Sequence, residues 1–388
     1  MVPVKKIIVG FLVLAALAAG SPVYAQLLDT KAKQAFMIDA ITGTVLFEKD
    51  ADAVVPPASL AKLMTMEVVF HALKTGRRTI NEVFPVSENA WRTGGAPSGT
   101  STMFAALKSS IPLGDLIRAT IIQSANDACI IIAEGFAGSE EAFATLMNER
   151  AKVLGLTKSL FKNSNGLPAP GQFVTMRELV TLGSHIWREY PDFYKIYSER
   201  EFTWNKITQR NRNPLLALNI GADGMKTGFT EESGYAIVGS AEQNGMRLFM
   251  AMSGLATDKE RAEEARKMLE WGQSAFTKVP LFAGNEVMGE ASVFGGAALS
   301  VPVGSETPVS ILIATQNKLR LKANVSYKGP IVAPVAKGQE IGTLNVYSGD
   351  TLVQVTPVVA LQDVGVGSLT DRALSAAKEL ATGWLRAL

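Results

Sequence analysis

Short strand-forming runs at both ends of a long helix-rich stretch constrain the fold of this chain most. Ala35–Ala40 and Thr44–Glu48 flank Ile41-Thr42-Gly43 and read as a hairpin. Far downstream, Tyr235–Glu242 and Arg247–Ser253 read as a second pair, joined by Gln243-Asn244-Gly245-Met246. Helical patterns cover Leu113–Gln123, Asp127–Gly135, Glu140–Leu154 and Met176–Arg188, and a further one, Asp258–Phe276, follows the last strand. Pro56-Pro57 stops extended chain ahead of another helix that runs from near Ser59 toward Leu73. Strands at the two ends bury their apolar faces by meeting in one sheet. Residues 26–277 are therefore expected to form an α+β domain, an antiparallel sheet packed against a helical cluster.

Composition shifts after about Lys278. Val301-Pro302-Val303, Val309–Ala314, Leu319–Tyr327 and Val353–Leu361 are valine-rich runs bounded by glycine and proline, the signature of a small all-β domain over 278–363. That stretch has no histidine, cysteine or tryptophan, so it reads as a spacer or interaction module without chemistry of its own. In the last segment, 364–388, Leu369, Ala373, Ala377, Leu380, Trp384 and Leu388 recur every three to four positions and make one apolar stripe on a helix. Such a helix either lies in a membrane interface or packs on the protein's own surface.

The first 25 residues read as a secretory leader: Lys5 and Lys6, an apolar run from Ile7 to Ala19, then Val23-Tyr24-Ala25 with small residues where a signal peptidase cuts. The run is short for a membrane span, although an uncleaved anchor is the competing reading. The mature chain is expected to begin near Gln26, outside the cytoplasm. The whole sequence has 38 Lys+Arg and 36 Asp+Glu, and without Lys5 and Lys6 the two totals are equal. The slight basic excess thus belongs to the leader and gives no reason to expect a nucleic-acid partner. Cys129 is the single cysteine, so no intrachain disulfide can form. It sits in the apolar run Ala128–Ile132, as an inert buried thiol would.

Ser59-Leu60-Ala61-Lys62 places a hydroxyl and an amine three residues apart at a helix start, where i and i+3 share a face. A serine hydroxyl needs a neighbouring base, and a lysine held neutral by burial or nearby cations can serve. With only His71 and His185 in the chain, a serine–histidine arrangement has few candidates. Ser124-Ala125-Asn126 follows 65 residues after Ser59, and Lys226-Thr227-Gly228 lies 100 residues after Asn126. Ser-x-x-Lys, Ser-x-Asn and Lys-Thr-Gly in this order match the active-site set of penicillin-binding proteins and serine β-lactamases. Ser124 suits a proton relay to the leaving group, and Asn126 can hold an amide by donating and accepting. Lys226 and Thr227 suit a terminal carboxylate. Gly228 leaves room for substrate backbone against its strand, and the backbone N–H groups of Ser59 and Phe229 are the expected oxyanion hole.

The resemblance extends beyond three motifs. Pro57–Thr65, Ile121–Cys129 and Asp223–Gly228, together with Asn165-Gly166-Leu167, Pro170-Gly171-Gln172 and Asn211-Arg212-Asn213, resemble segments of the low-molecular-mass penicillin-binding proteins of the D-alanyl-D-alanine carboxypeptidase type. The likeness covers the leader, the peptidase domain, the β domain and the terminal helix. It implies a transpeptidase-like fold, acylation of Ser59 by peptidoglycan stem peptides ending in D-Ala-D-Ala, and Lys62 as proton acceptor. It further implies carboxylate binding by Arg212 and Lys226, covalent inhibition by β-lactam antibiotics, and attachment to the membrane surface through the C-terminal helix. No metal or cofactor is implied. Phe229 departs from the family's best-known member, in which a histidine follows Lys-Thr-Gly. A serine β-lactamase is the runner-up, but no Glu-x-x-Leu-Asn stands between Asn126 and Lys226 to activate a deacylating water. An endopeptidase on cross-links is closer, and the motifs do not separate it. An idle wall-shaping scaffold is disfavoured by the intact Ser59, Lys62, Ser124 and Lys226.

Overall fold

A computed structural model of the chain describes residues 28–315 and 321–382. The expected leader over 1–25, Leu319, Trp384 and Leu388 lie outside the described residues. The chain forms two compact units that part between Ser274 and Ala275. The first opens with β1 (Gln34–Asp39), β2 (Val45–Lys49), α1 (Lys62–Lys74), β3 (Val83–Pro85), β4 (Ser110–Pro112) and α2 (Leu113–Arg118). It continues with α3 (Asn126–Ala137), α4 (Glu140–Val153), α5 (Met176–Glu189), α6 (Pro191–Tyr194), β5 (Glu201–Trp204) and β6 (Ile207–Arg210). It closes with β7 (Ala222–Thr230), β8 (Gly234–Gln243), β9 (Met246–Leu255) and α7 (Asp258–Ser274).

The strands from the two ends of this unit do join. The sheet runs β2-β1-β9-β8-β7, with every neighbouring pair antiparallel, so that β7 is a free edge. Leu248 and Phe249 are successive residues of β9 and face opposite sides of the sheet. Gly272 of α7 lies against Leu248 and Met37, and Gly183 of α5 lies against Phe249, Val238 and Met225. The two helices therefore cover opposite faces, and β9 is buried along nearly its whole length. This explains why Leu248–Met252 reads as a continuous apolar run instead of an alternating one. Helix α1 is buried almost all round, from Lys62 to Phe70, and threads the helical core.

Several local expectations are corrected. The helix expected from Ser59 begins as a 3-10 turn, Ala58–Ala61, and α1 proper starts at Lys62. The helix expected over Leu113–Gln123 stops at Arg118 and continues as a wider π-type turn, Ala119–Gln123, which ends at Ser124 with φ 60°. Helix α7 ends at Ser274, because Phe276 pairs with Ala314 in a strand of the next unit. The hairpin β5–β6 was not anticipated, although Asn205 and Lys206 both take the positive φ of a tight hairpin turn, at 47° and 64°.

The second unit contains β10 (Phe276–Phe282), β11 (Gly289–Phe294), β12 (Ser300–Gly304), β13 (Val309–Ala314), β14 (Leu321–Tyr327), β15 (Ile331–Val332), β16 (Glu340–Ser348), β17 (Thr351–Ala360) and α8 (Leu369–Thr382). Its sheets are β14-β16-β17-β12-β11-β15 and the pair β10-β13, closed over a core that includes Ala291, Val301, Val303, Ile311, Leu344, Val346 and Val358. On α8, Ser375 is buried, whereas Leu369 and Leu380 are 83% and 85% exposed.

Candidate active site

The turn that carries Ser59 is wedged between two glycines. Ala58 adopts φ 47°, a left-handed conformation unusual for alanine, held by packing on both sides. Gly166 itself has φ 79°, and a Cβ on it would lie 1.8 Å from the Ala58 carbonyl oxygen. On the other side a Cβ on Gly228 would lie 3.1 Å from the Ala58 Cβ, 3.2 Å from Leu60 Cγ and 3.4 Å from the Ser59 nitrogen. The bare Cα of Gly228 thus faces the Ser59 turn and lets strand β7 lie against it. Ala58, Leu60 and Ala61 are buried, and Ser59 is partly exposed.

Lys62 follows one turn later with its side chain 1% exposed. Its Nζ lies 3.0 Å from Ser59 Oγ, 2.8 Å from Asn126 Oδ1 and 2.6 Å from the Asn165 carbonyl oxygen. Both amide oxygens only accept hydrogen bonds. A neutral Lys62 therefore turns its two N–H groups toward Asn126 and Asn165, which leaves its lone pair for the Ser59 hydroxyl. Burial is the main cause that lowers the Lys62 pKa to about 8, with the charge of Arg212 adding to it against the pull of Glu140 and Asp127.

Ser124 caps the π-type turn, and Asn126 opens α3. Asn126 Nδ2 donates to Thr100 Oγ1 at 2.9 Å, so both ends of this amide are engaged, one of them in holding Lys62. The next residue, Asp127, is buried and ties down the 100–105 loop. It accepts from Thr102 Oγ1 at 2.6 Å, Met103 N at 3.0 Å, Ala105 N at 3.1 Å and Ala128 N at 3.0 Å. Burial raises its pKa against those four donors. Thr100 lies outside the three motifs, and Asp127 directly follows one of them without a motif role of its own. An acid directly after the Ser-x-Asn motif, in the first turn of a helix, was the available signal.

Lys226 lies in the buried middle of β7 and not at a solvated strand end. Its Nζ donates to Ser124 Oγ at 2.8 Å and to the Thr227 carbonyl oxygen at 2.9 Å. Burial first, then the charge of Lys62, holds its pKa well below the usual lysine value. Thr227 is buried beside it, and Phe229 is half exposed, its ring centroid 4.3 Å from that of Tyr235. Arg212 is exposed on a loop whose course is fixed by its neighbours. Its own N–H donates to the Ile122 carbonyl, Asn211 donates to the carbonyls of Tyr197 and Glu199, and Asn213 N donates to Asn211 Oδ1. Cys129 is fully buried beneath the site, and burial raises its thiol pKa, so it stays neutral. The fold thus gathers the hydroxyls of Ser59 and Ser124 and two lysines of lowered pKa beside strand β7, whose outer edge is unpaired among the described residues. An arrangement of this kind is suited to acyl transfer on an extended peptide.

The comparisons with known proteins agree with this chemistry. The sequence pattern of one family, described as D-alanyl-D-alanine carboxypeptidase, matches residues 21–256, and that of the penicillin-binding protein 5 C-terminal domain matches 276–366. The D-alanyl-D-alanine carboxypeptidase DacC of Escherichia coli (strain K12) is 39% identical over 360 residues, which cover 92% of this chain and 90% of that protein. The crystal structure of penicillin-binding protein 5 from Haemophilus influenzae superposes with a TM-score of 0.80 at 34% identity, covering 88% of this chain and 100% of that one. Penicillin-binding protein D2 from Listeria monocytogenes, in an ampicillin-bound form, aligns with a TM-score of 0.56 at 29% identity, over 64% of this chain and 99% of that one.

Proposed function

The chain belongs to the peptidase S11 family of D-alanyl-D-alanine carboxypeptidases, with the penicillin-binding protein 5 C-terminal domain, and from that premise we propose how its own residues perform the reaction. It is a serine-type D-Ala-D-Ala carboxypeptidase of peptidoglycan metabolism. The peptide's last residues add along the free edge of β7, and the terminal carboxylate lies against Lys226, Thr227 and Arg212. Ser59 Oγ attacks the carbonyl carbon of the penultimate D-alanine while neutral Lys62 takes its proton. The backbone N–H groups of Ser59 and Phe229 stabilise the oxyanion. A proton passes through Ser124 to the leaving amine as the C–N bond breaks and D-alanine departs. Water then hydrolyses the ester and restores Ser59. A penicillin enters the same route, but its ring-opened amine stays attached. The observation that carries the assignment is the 3.0 Å contact between Lys62 Nζ and Ser59 Oγ, with the amine's other donors committed to two amide oxygens. Ser59→Ala is expected to abolish both D-alanine release and covalent penicillin labelling, and retained turnover would place the nucleophile elsewhere.

The organisation we propose around this chemistry is a leader over 1–25, a peptidase domain over 26–277, a β domain over 278–363 and a membrane-binding helix over 364–388. No helix among the described residues is long and apolar enough to cross a membrane. Support for surface attachment comes from α8, which turns Ser375 inward and leaves Leu369, Ala373, Ala377 and Leu380 of the apolar stripe exposed. An exported enzyme held at the periplasmic face of the inner membrane by that stripe would meet its substrate there. Truncation before Gly365 is expected to release the protein from vesicles of anionic lipid with peptide hydrolysis retained, and a truncated form that still pellets would refute the anchor.

A further inference from the structure

The start of β7 is held by an ion cluster, a buried arginine on a half-buried aspartate, that the chemistry above leaves without a role. We propose that Asp223 and Arg247 are positioning residues whose clamp fixes the register of β7, and so holds Lys226 and Thr227 level with Ser59. The proposal rests on the assignment of Ser59, Lys62 and Lys226 given above.

As the edge strand, β7 is paired on one side only, with β8. Ala222 pairs with Ala241 and Gly224 with Ser240, so Asp223 is the extra residue of a bulge. A bulge beside an active site re-aims the residues after it, and a slip of one residue would send every side chain of the strand to the other face. Lys226 would then leave Ser124 and Lys62. From Gly224 to Thr230 the register is unbroken, so whatever fixes the bulge fixes Lys226.

The bulge is anchored from two strands away. Arg247 lies on β9 and is 1% exposed. It reaches across β8 to donate from Nη1 to Asp223 Oδ2 at 2.6 Å and from Nη2 to Asp223 Oδ1 at 3.1 Å. Ser240 Oγ donates to Asp223 Oδ1 at 2.9 Å, and the Tyr194 hydroxyl lies 3.2 Å from the same atom and 2.7 Å from Arg247 Nη2. The guanidinium is fixed in its turn. The Arg247 backbone N–H donates to Asp39 Oδ1 at 2.9 Å, and the ring centroids of Trp187, Tyr194 and Phe249 lie 5.1, 5.2 and 5.1 Å from the guanidinium carbon. Gly224 lets the cluster close, because a Cβ there would lie 2.8 Å from both Ser240 Oγ and the Tyr194 oxygen. A buried ion pair adds little stability over an apolar pair of the same volume, but a bidentate fork fixes direction. Direction is what an edge strand carrying a catalytic lysine requires.

The test is Asp223→Asn, which keeps size while setting an amide N–H group against an arginine that only donates; the Asp223 side chain is one-third exposed. Purified full-length variant is titrated with labelled penicillin to count competent sites, and the acylation rate per labelled site is followed separately. The expected result is wild-type stoichiometry with a tenfold or greater fall in rate per site, and a larger rise in KM than fall in kcat for D-Ala-D-Ala peptides. A per-site rate within twofold of wild type overturns the proposal, as does a loss confined to the number of labelled sites. If Asp223→Asn does not fold, Ser240→Ala removes one bond of the same carboxylate and is expected to slow each site about threefold; an unchanged rate there counts against the clamp. Ser59→Ala is labelled in parallel. Labelling of that variant would refute the site assignment itself, whereas a silent Ser59→Ala beside unaffected clamp variants refutes the clamp alone.

Discussion

The pH dependence of acylation follows directly from where Lys62 sits. The amine must be neutral to take the Ser59 proton, and burial has brought its pKa from 10.5 to about 8. At pH 7 about one Lys62 in ten is then neutral, against about one in three thousand for an unperturbed lysine, a gain of roughly 3 kcal/mol in available base. The sign is that of a base whose charged form is disfavoured: acylation rises as pH increases toward the lowered value and levels above it. The second-order rate of penicillin labelling, measured by stopped flow from pH 6 to 9, should climb close to tenfold per unit below about 8 and flatten beyond it. Replacing Arg212 by Gln removes a cation that helps lower the Lys62 pKa and should move the limb to higher pH, in addition to weakening carboxylate binding. A flat profile across this range would refute the reasoning, as would a limb centred near 6.5, which would implicate a histidine.

Other consequences concern the walls of the site. Gly166→Ala puts a Cβ into the Ala58 carbonyl at a residue with φ 79°, and is expected to destabilise the protein by about 2–4 kcal/mol in urea unfolding and to abolish labelling. Gly228→Ala meets only tight contacts at 3.1–3.4 Å, so it should cost about 1 kcal/mol while slowing acylation at least tenfold, by pushing β7 away from Ser59. The two variants thus separate stability from catalysis, and equal effects on both would contradict the geometry. Asp127→Asn turns an amide toward the Thr102 and Ala105 donors and should cost about 1–3 kcal/mol, with the 100–105 loop gaining hydrogen exchange while the rest of the fold does not.

The three motifs were legible as short patterns of side chains, and the fold brings their residues together, with Lys62 Nζ 3.0 Å from Ser59 Oγ and Lys226 Nζ 2.8 Å from Ser124 Oγ. The roles proposed for Ser59, Lys62, Ser124 and Lys226 rest on that arrangement. The sheet was readable from the apolar runs at both ends, because strands cannot bury those faces alone. Other partners left no mark. The Asn165 carbonyl that holds Lys62 is backbone, which every residue has, and it stands 103 positions away in sequence. Asn126 read as a substrate ligand because an amide side chain suits many tasks, and only its contacts with Lys62 and Thr100 show what it holds. Gly228 reads as room for substrate backbone, and the approach of the Ala58 turn to within 3.1 Å of its missing Cβ is a further demand on that position that only packing reveals.

The sequence by itself determined which chemistry this protein can perform, that its two regions differ in kind, and that a sheet must close from its ends. Tertiary structure alone decided what holds the Lys62 amine against the serine, how far each pKa falls, and how the edge strand is kept in register. Those properties depend on desolvation and on distances of about 3 Å between residues that are remote along the chain, for example Arg247 and Asp223 at 2.6 Å across an intervening strand. Composition and spacing do not encode such distances, and packing does.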